Sequence, residues 1–269
     1  MKKIIVILLI IIVSGIESYA QNFEKRGGLF ISVGPAQGEL LNAIAELFIT
    51  DPVGRQTGLD ISKGAIVRGI PNASYAKERE ESNTFEADIP IDGLYKIVVI
   101  GTGSGEYYLD IFASDINFKG SVQKLDGTTY PGKIDNYDIT YSSAPGSQVK
   151  ATYVGSSEVP VFDGKGQRAT DVNKFLQYFN PTRVKTELPA ETQSFNLSII
   201  YGNTIKRETF GAVLNGNDIT NKFDPLPGKL EVIEIPLIQG NNTLVLSIDG
   251  VRDDGGKATD TDRLTLVVP

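Results

Sequence analysis

The 269-residue chain holds 33 Asp and Glu against 26 Lys and Arg, a formal net charge of −7, and contains neither cysteine nor histidine. An acidic chain with no local Lys/Arg cluster repels phosphate backbones and anionic membranes, which argues against nucleic-acid binding. Without thiols or imidazoles it forms no disulfides, no thiolate or imidazole metal sites and no Ser-His or Cys-His nucleophile pair, so ordinary apolar cores must hold the fold.

At the N-terminus, Met1, Lys2 and Lys3 precede an unbroken apolar run over residues 4–13, followed by the more polar Ser14, Gly15, Ile16, Glu17, Ser18, Tyr19 and Ala20. A basic start, a short apolar centre and small residues at the −3 and −1 positions make an export signal peptide, with cleavage expected after Ala20. The apolar run is about half of the ~20 residues a membrane-crossing helix needs, which favours a cleaved signal over an anchor. No cysteine follows it to carry a lipid. Cleavage removes two lysines and one glutamate, moving the net charge from −7 to −8. The expected mature chain is exported, periplasmic or extracellular, and has no membrane span of its own.

Along the mature chain, apolar runs are short and turn residues recur every dozen positions or so, which is how a sandwich or barrel looks in sequence. Residues 29–33 and 45–50 read as strands, the second ending in the turn Asp51, Pro52, Val53, Gly54. Leu40, Leu41, Ile44, Leu47 and Phe48 also fit one face of a helix, but the strand is preferred. The mixed charge run 77–81 reads as a solvated loop or short helix. Residues 94–100 (LYKIVVI) and 107–113 (YYLDIFA), joined by the glycine-rich 101–105, read as a β-hairpin. That loop is not a phosphate cradle, because a strand rather than a helix follows it and the G-x-G-x-x-G spacing fails.

Further on, Asp126 with Gly127 and Pro131 with Gly132 are expected turns, Tyr137, Ile139 and Tyr141 alternate as in a half-buried strand, and 149–154 completes a first unit. Residues 155–168 (GSSEVPVFDGKGQR) have the Gly, Ser and Pro content of a linker. Beyond it, 194–201, 209–214, 230–235, 243–248 and 264–268 are strand candidates. They are separated by Gly202 and Asn203, Asn215 and Gly216, Pro227 and Gly228, Gly240 and Asn241, and the stretch 249–256. The expected architecture is all-β: a signal peptide (1–20), a β-sandwich (21–158) and a second, immunoglobulin-like β-sandwich (159–269).

Two stretches carry a resemblance. VLNGNDIT, FDPLPG, IPLIQGNNTLVLSIDG and ATDTDRLTLVV, between Ala212 and Val268, resemble bacterial immunoglobulin-like accessory domains. In these an NG hairpin is followed by a G-x-N-x-L/I strand entry. TDPVGRQTG (50–58), IPNASY (70–75) and GLYKIVVIGTGSGEYYLDI (93–111) are similar to the β-sandwich appendages of secreted bacterial proteins, of the pre-peptidase C-terminal type. The resemblance implies accessory sandwiches and brings no catalytic residues, and no catalytic domain accompanies them here.

Asp249, Asp253, Asp254, Asp260 and Asp262 lie within fourteen residues among Gly250, Gly255 and Gly256. Carboxylates converging on a loop hold Ca²⁺ through six to eight oxygens, so these five are candidate calcium ligands. Set against this, Asp and Gly are what turns use, and neither EF-hand nor RTX spacing is present. Tyr107, Tyr108, Tyr130 and Tyr153 are candidates for a sugar-facing surface, or else half-buried packing residues with a wet hydroxyl. The expected function is that of an exported, non-catalytic binding or structural protein with a protein or glycan partner in the envelope or outside the cell. The alternative is a carbohydrate-binding protein that uses calcium, and no other cofactor is expected.

Overall fold

The computed structural model of the protein describes residues 27–36, 43–77, 82–169 and 174–269. The expected signal peptide, Leu40 and Leu41 of the alternative helical face, and residues 78–81 of the charge run lie outside the described residues. The first strands are β1 (Gly28–Pro35), β2 (Ala45–Thr50), β3 (Gln56–Asp60), β4 (Ala65–Arg68), β5 (Ala73–Lys77) and β6 (Asn83–Ala87). They are followed by β7 (Gly93–Gly101), β8 (Gly105–Ser114), β9 (Gly120–Thr129), β10 (Lys133–Tyr141) and β11 (Lys150–Glu158). After a connector come β12 (Leu176–Asn180), β13 (Lys185–Glu187), β14 (Ser194–Tyr201) and β15 (Ile205–Leu214). The last are β16 (Asn217–Asp218), β17 (Leu230–Pro236), β18 (Gly240–Val251) and β19 (Lys257–Val268), with one 3₁₀ turn at Thr220–Lys222.

These strands form four sheets, ordered β5-β6-β1-β8-β9, β11-β10-β7-β2-β3-β4, β12-β14-β17 and β13-β19-β18-β15-β16. Neighbours are antiparallel except β13 and β19, which run parallel. The sheets stack. Leu29, Ile31, Leu109 and Ile111 of the first meet Leu47, Ile49, Ile97 and Val99 of the second in one apolar core. Leu197, Ile199 and Tyr178 of the third meet Leu244, Leu246, Leu264 and Leu266 of the fourth in another. A further apolar seam joins the middle layers, with Leu59, Ile100 and Ile134 of the second sheet against Phe179, Ile200 and Leu230 of the third.

Because successive side chains of a strand point to opposite faces, a middle-layer strand must be apolar on both. This is why 94–100 and 194–201 read as near-continuous apolar runs. In β7, Tyr95, Ile97 and Val99 face one core while Val98 and Ile100 face the seam, and β14 divides Leu197 and Ile199 from Ile200 in the same way.

This layering corrects the expected hairpin of 94–100 with 107–113. β7 pairs with β2 and β10, and β8 pairs with β1 and β9, in different sheets. The 101–105 loop therefore carries the chain across the core. A glycine-rich loop permits either course, and the strands' polarity decides. β8 alternates apolar Tyr107, Leu109 and Ile111 with Asp110 and suits an outer layer, whereas β7 has two apolar faces and suits a middle one. Nor do Asp126 and Gly127 form a turn, since both lie inside β9. Gly127 is there because the ring of Tyr107 occupies its Cβ position, 2.5 Å away.

Asn215 and Gly216 do reverse the chain between β15 and β16, with φ of 51° and 83°, the paired left-handed geometry of a two-residue hairpin. The supposed linker is partly core. Val161 is buried in the seam with Val159 packed against it, and Phe162 exchanges backbone hydrogen bonds with Tyr178 of β12 at 2.9 and 2.8 Å.

Candidate ligand cleft at the junction of the middle sheets

At one end of the seam, the turn between β9 and β10, the crossover after β7, the end of β11, the connector, β12 and the turn after β14 surround a cleft of about 550 Å³. Its walls are set by backbone. Gly132 takes φ +89°, its N–H donates to Gly101 O at 3.0 Å, and its carbonyl accepts from Val159 N at 2.8 Å. A Cβ there would lie 2.3 Å from Val159 O, so only glycine lets the chain leaving β11 run against this turn.

Asp163 then folds the connector back. Its Oδ1 accepts from Lys165 N and Gln167 N at 2.9 and 2.8 Å, returning Arg168 to bridge Phe162. Arg168 Nη2 donates to Glu158 Oε2 at 2.5 Å, and the Tyr130 hydroxyl donates to Glu158 Oε1. These donors, Tyr130 first and Arg168 second, hold the Glu158 carboxyl below its usual range. Glu158 is thus an ionised acceptor rather than a proton donor.

On the opposite wall, Gln177 of β12 stands across from Ile200 of β14. Leu176 and Tyr178 belong to the core beyond, so Gln177 projects toward the junction with Phe179. It is 7% exposed, lines the cleft, and its Oε1 is buried with no hydrogen-bond partner. Gly202, Asn203, Thr204 and, from the tip of the β18–β19 hairpin, Asp253 complete the lining.

Behind it lies an acidic pair, Asp262 buried and Asp260 partly exposed. The Tyr178 hydroxyl donates to Asp262 Oδ2 at 2.9 Å, while Phe175 N and Leu176 N donate to Asp260 Oδ2 at 3.1 and 3.2 Å and Lys174 Nζ approaches its Oδ1 at 3.4 Å. Burial, and then the charge of Asp260, push the Asp262 carboxyl up to about 6. Gly164 closes over Asp262, with its Cβ position 1.8 Å from the carboxyl carbon.

The five candidate aspartates are therefore not one cluster, although Asp253, Asp254 and Asp260 line a common pocket together with the cations Lys174 and Arg252. Asp260 and Asp262 lie two apart on the inward face of β19. Asp249, opposite Thr259, points to the other face of the hairpin and accepts from the Thr259 hydroxyl at 2.6 Å. Asp253 and Asp254 sit at the exposed tip, where Asp254 accepts from Gly256 N at 2.8 Å. No group of three or more acidic side chains arranged to hold a metal forms among the described residues. Of the tyrosine candidates, Tyr107 is fully buried, Tyr153 lies exposed on β11, and Tyr130 alone of the four lines the cleft, 42% exposed.

No protein-family model matches this chain, and no curated protein matches it.

Sequence reasoning found Tyr130 but not Glu158, Arg168 or Gln177, because the first two fall in the stretch with linker composition and the third in an unassigned strand. A signal was present: Val159, Val161 and the flanking Phe162 are apolar residues that a solvated linker has no use for.

Proposed function

We propose that this chain is an exported, non-catalytic binding protein of two β-sandwich domains, the second immunoglobulin-like, whose ligand-facing site is the cleft at their junction. One observation carries the reading. The cleft combines a buried, unpartnered acceptor on Gln177 with an exposed aromatic, Tyr130, while Glu158, one of its two carboxylates, is already engaged by Tyr130 and Arg168. Such a mix of a few placed polar groups on a rigid apolar frame suits recognition. The raised acid, Asp262, is enclosed by Gly164 and Tyr178 behind the wall, a poor position for general acid catalysis. Among the described residues, no helix is long and apolar enough to cross a membrane.

Two measurements test this. Mass spectrometry of the exported protein is expected to find Gln21 at its N-terminus. The purified protein, immobilised and exposed to an extract of the producing cell's envelope, is expected to retain a protein or glycan component. Retention of nothing above background would count against a binding role.

A further inference from the structure

We infer that the junction cleft takes a neutral polyhydroxylated ligand, a saccharide, which donates a hydroxyl hydrogen to Gln177 Oε1 and packs a ring face on Tyr130. The inference deepens the binding role proposed above and rests on it.

Charge comes first. The two cations of the lining are spoken for inside the protein, Arg168 by Glu158 at 2.5 Å and Lys174 by Asp260 at 3.4 Å. An anionic ligand would have to compete for cations whose counter-charges are already in contact, and a cationic one would compete for Glu158 with both Arg168 and the Tyr130 hydroxyl, while Asp253, the other carboxylate of the lining, is not free either. A neutral ligand leaves these pairs intact.

Hydrogen bonding then narrows the choice. A buried acceptor without a partner costs about 1–3 kcal/mol, and a donor arriving from a ligand relieves that cost. Gln177 Oε1 is such an acceptor, on a side chain more than nine-tenths buried that lines the cleft; the oxygen itself is closed to solvent, so a turn of the terminal amide brings it to the ligand. A purely apolar ligand would leave it unrelieved. Hydroxyl groups both donate and accept, so a sugar can serve Oε1 and the exposed Asn203 and Thr204 of the facing turn at once. The apolar ring face of a sugar matches the exposed ring of Tyr130.

The test uses isothermal titration of the purified protein with cello-, manno- and chito-oligosaccharides, and with oligogalacturonate as the anionic comparison. At least one neutral series is expected to bind. Gln177→Leu, which removes the unsatisfied oxygen at similar volume, is expected to weaken binding at least tenfold without lowering Tm. Tyr130→Ala should do the same while Tyr130→Phe retains affinity; Tyr130 is exposed, so both variants fold.

Binding that Gln177→Leu leaves unchanged would put the sugar elsewhere and overturn the inference, as would binding of oligogalacturonate alone. A blank on every sugar would also overturn it. The envelope-retention experiment decides the broader binding role separately, since a retained protein component with all sugars blank rejects the saccharide and keeps the binding role.

Discussion

Tyr178 gives its hydroxyl hydrogen to Asp262 across 2.9 Å in the buried space between the third and fourth sheets. The same relation recurs between Tyr75 and Glu46 at 2.5 Å, Tyr107 and Asp135 at 2.8 Å, and Tyr201 and Glu231 at 2.8 Å. Stacking the sheets buries Glu46, Asp135 and Asp262, and a phenol from the facing sheet reaches each one, whereas Tyr201 and the half-buried Glu231 lie on adjacent strands of one sheet. Burial and the adjacent negative charge raise the pKa of all four tyrosines.

Asp262 makes stability depend on pH in an unusual direction. Its folded-state pKa of about 6 lies above the unfolded value near 3.8, so the folded state binds the proton more tightly. The destabilisation it causes is complete above pH 6 and disappears as pH falls to 4. Relative to Asp262→Asn, the wild type should therefore gain roughly 2–3 kcal/mol between pH 7 and pH 4. Urea denaturation of both proteins across that range measures it. A difference constant with pH would mean that Asp262 ionises normally.

Gly164 and Gly211 should respond oppositely to alanine. At Gly164 the new methyl would meet Asp262 at 1.8 Å, and Asp262 is held by Tyr178, so a loss of about 1–3 kcal/mol is expected from overpacking. At Gly211 in β15 nothing lies within 4 Å of the Cβ position and φ is ordinary, so alanine should be neutral or stabilise by up to about 1 kcal/mol. Chemical denaturation of the two variants is the check.

Ser198 lies in the seam, 1% exposed, with no partner for its hydroxyl and with Gly64 of the β3–β4 turn against it. Removing a buried, unsatisfied hydroxyl relieves its desolvation cost, so Ser198→Ala should raise stability by about 1 kcal/mol. A loss of that size would reveal a hydrogen bond made by the hydroxyl.

The seam also predicts cooperativity. Calorimetry of the wild type should show one unfolding transition, because the second and third sheets bury a common apolar face. Ile200→Asp places an unpaired carboxylate in that face and should split the transition in two. Two transitions in the wild type would show that the seam couples the halves only weakly.

Calcium should have no effect. Asp260 already accepts two backbone N–H groups and faces Lys174, Asp262 accepts from Tyr178, and Asp249 points to the opposite face. Unfolding temperatures in EDTA and in millimolar Ca²⁺ should coincide. A rise of several degrees with Ca²⁺ would restore the acidic hairpin as a metal site by mass action.

What the sequence determined by itself was local. The all-β character, the strands at 45–50 and 194–201, and the Asn215-Gly216 reversal all follow from period-two alternation and from the left-handed backbone that glycine and asparagine tolerate. What only the tertiary structure decided was which face of each strand met which neighbour. A glycine loop such as 101–105 serves a hairpin or a crossover equally well. The course taken depends on pairing with β2 and β10, residues far away in sequence whose contribution no local window contains. The cleft has the same origin: Tyr130, Glu158, Arg168 and Gln177 are unremarkable one by one, and come to line one cleft because burying the apolar faces of two middle sheets brings their ends together around Val161.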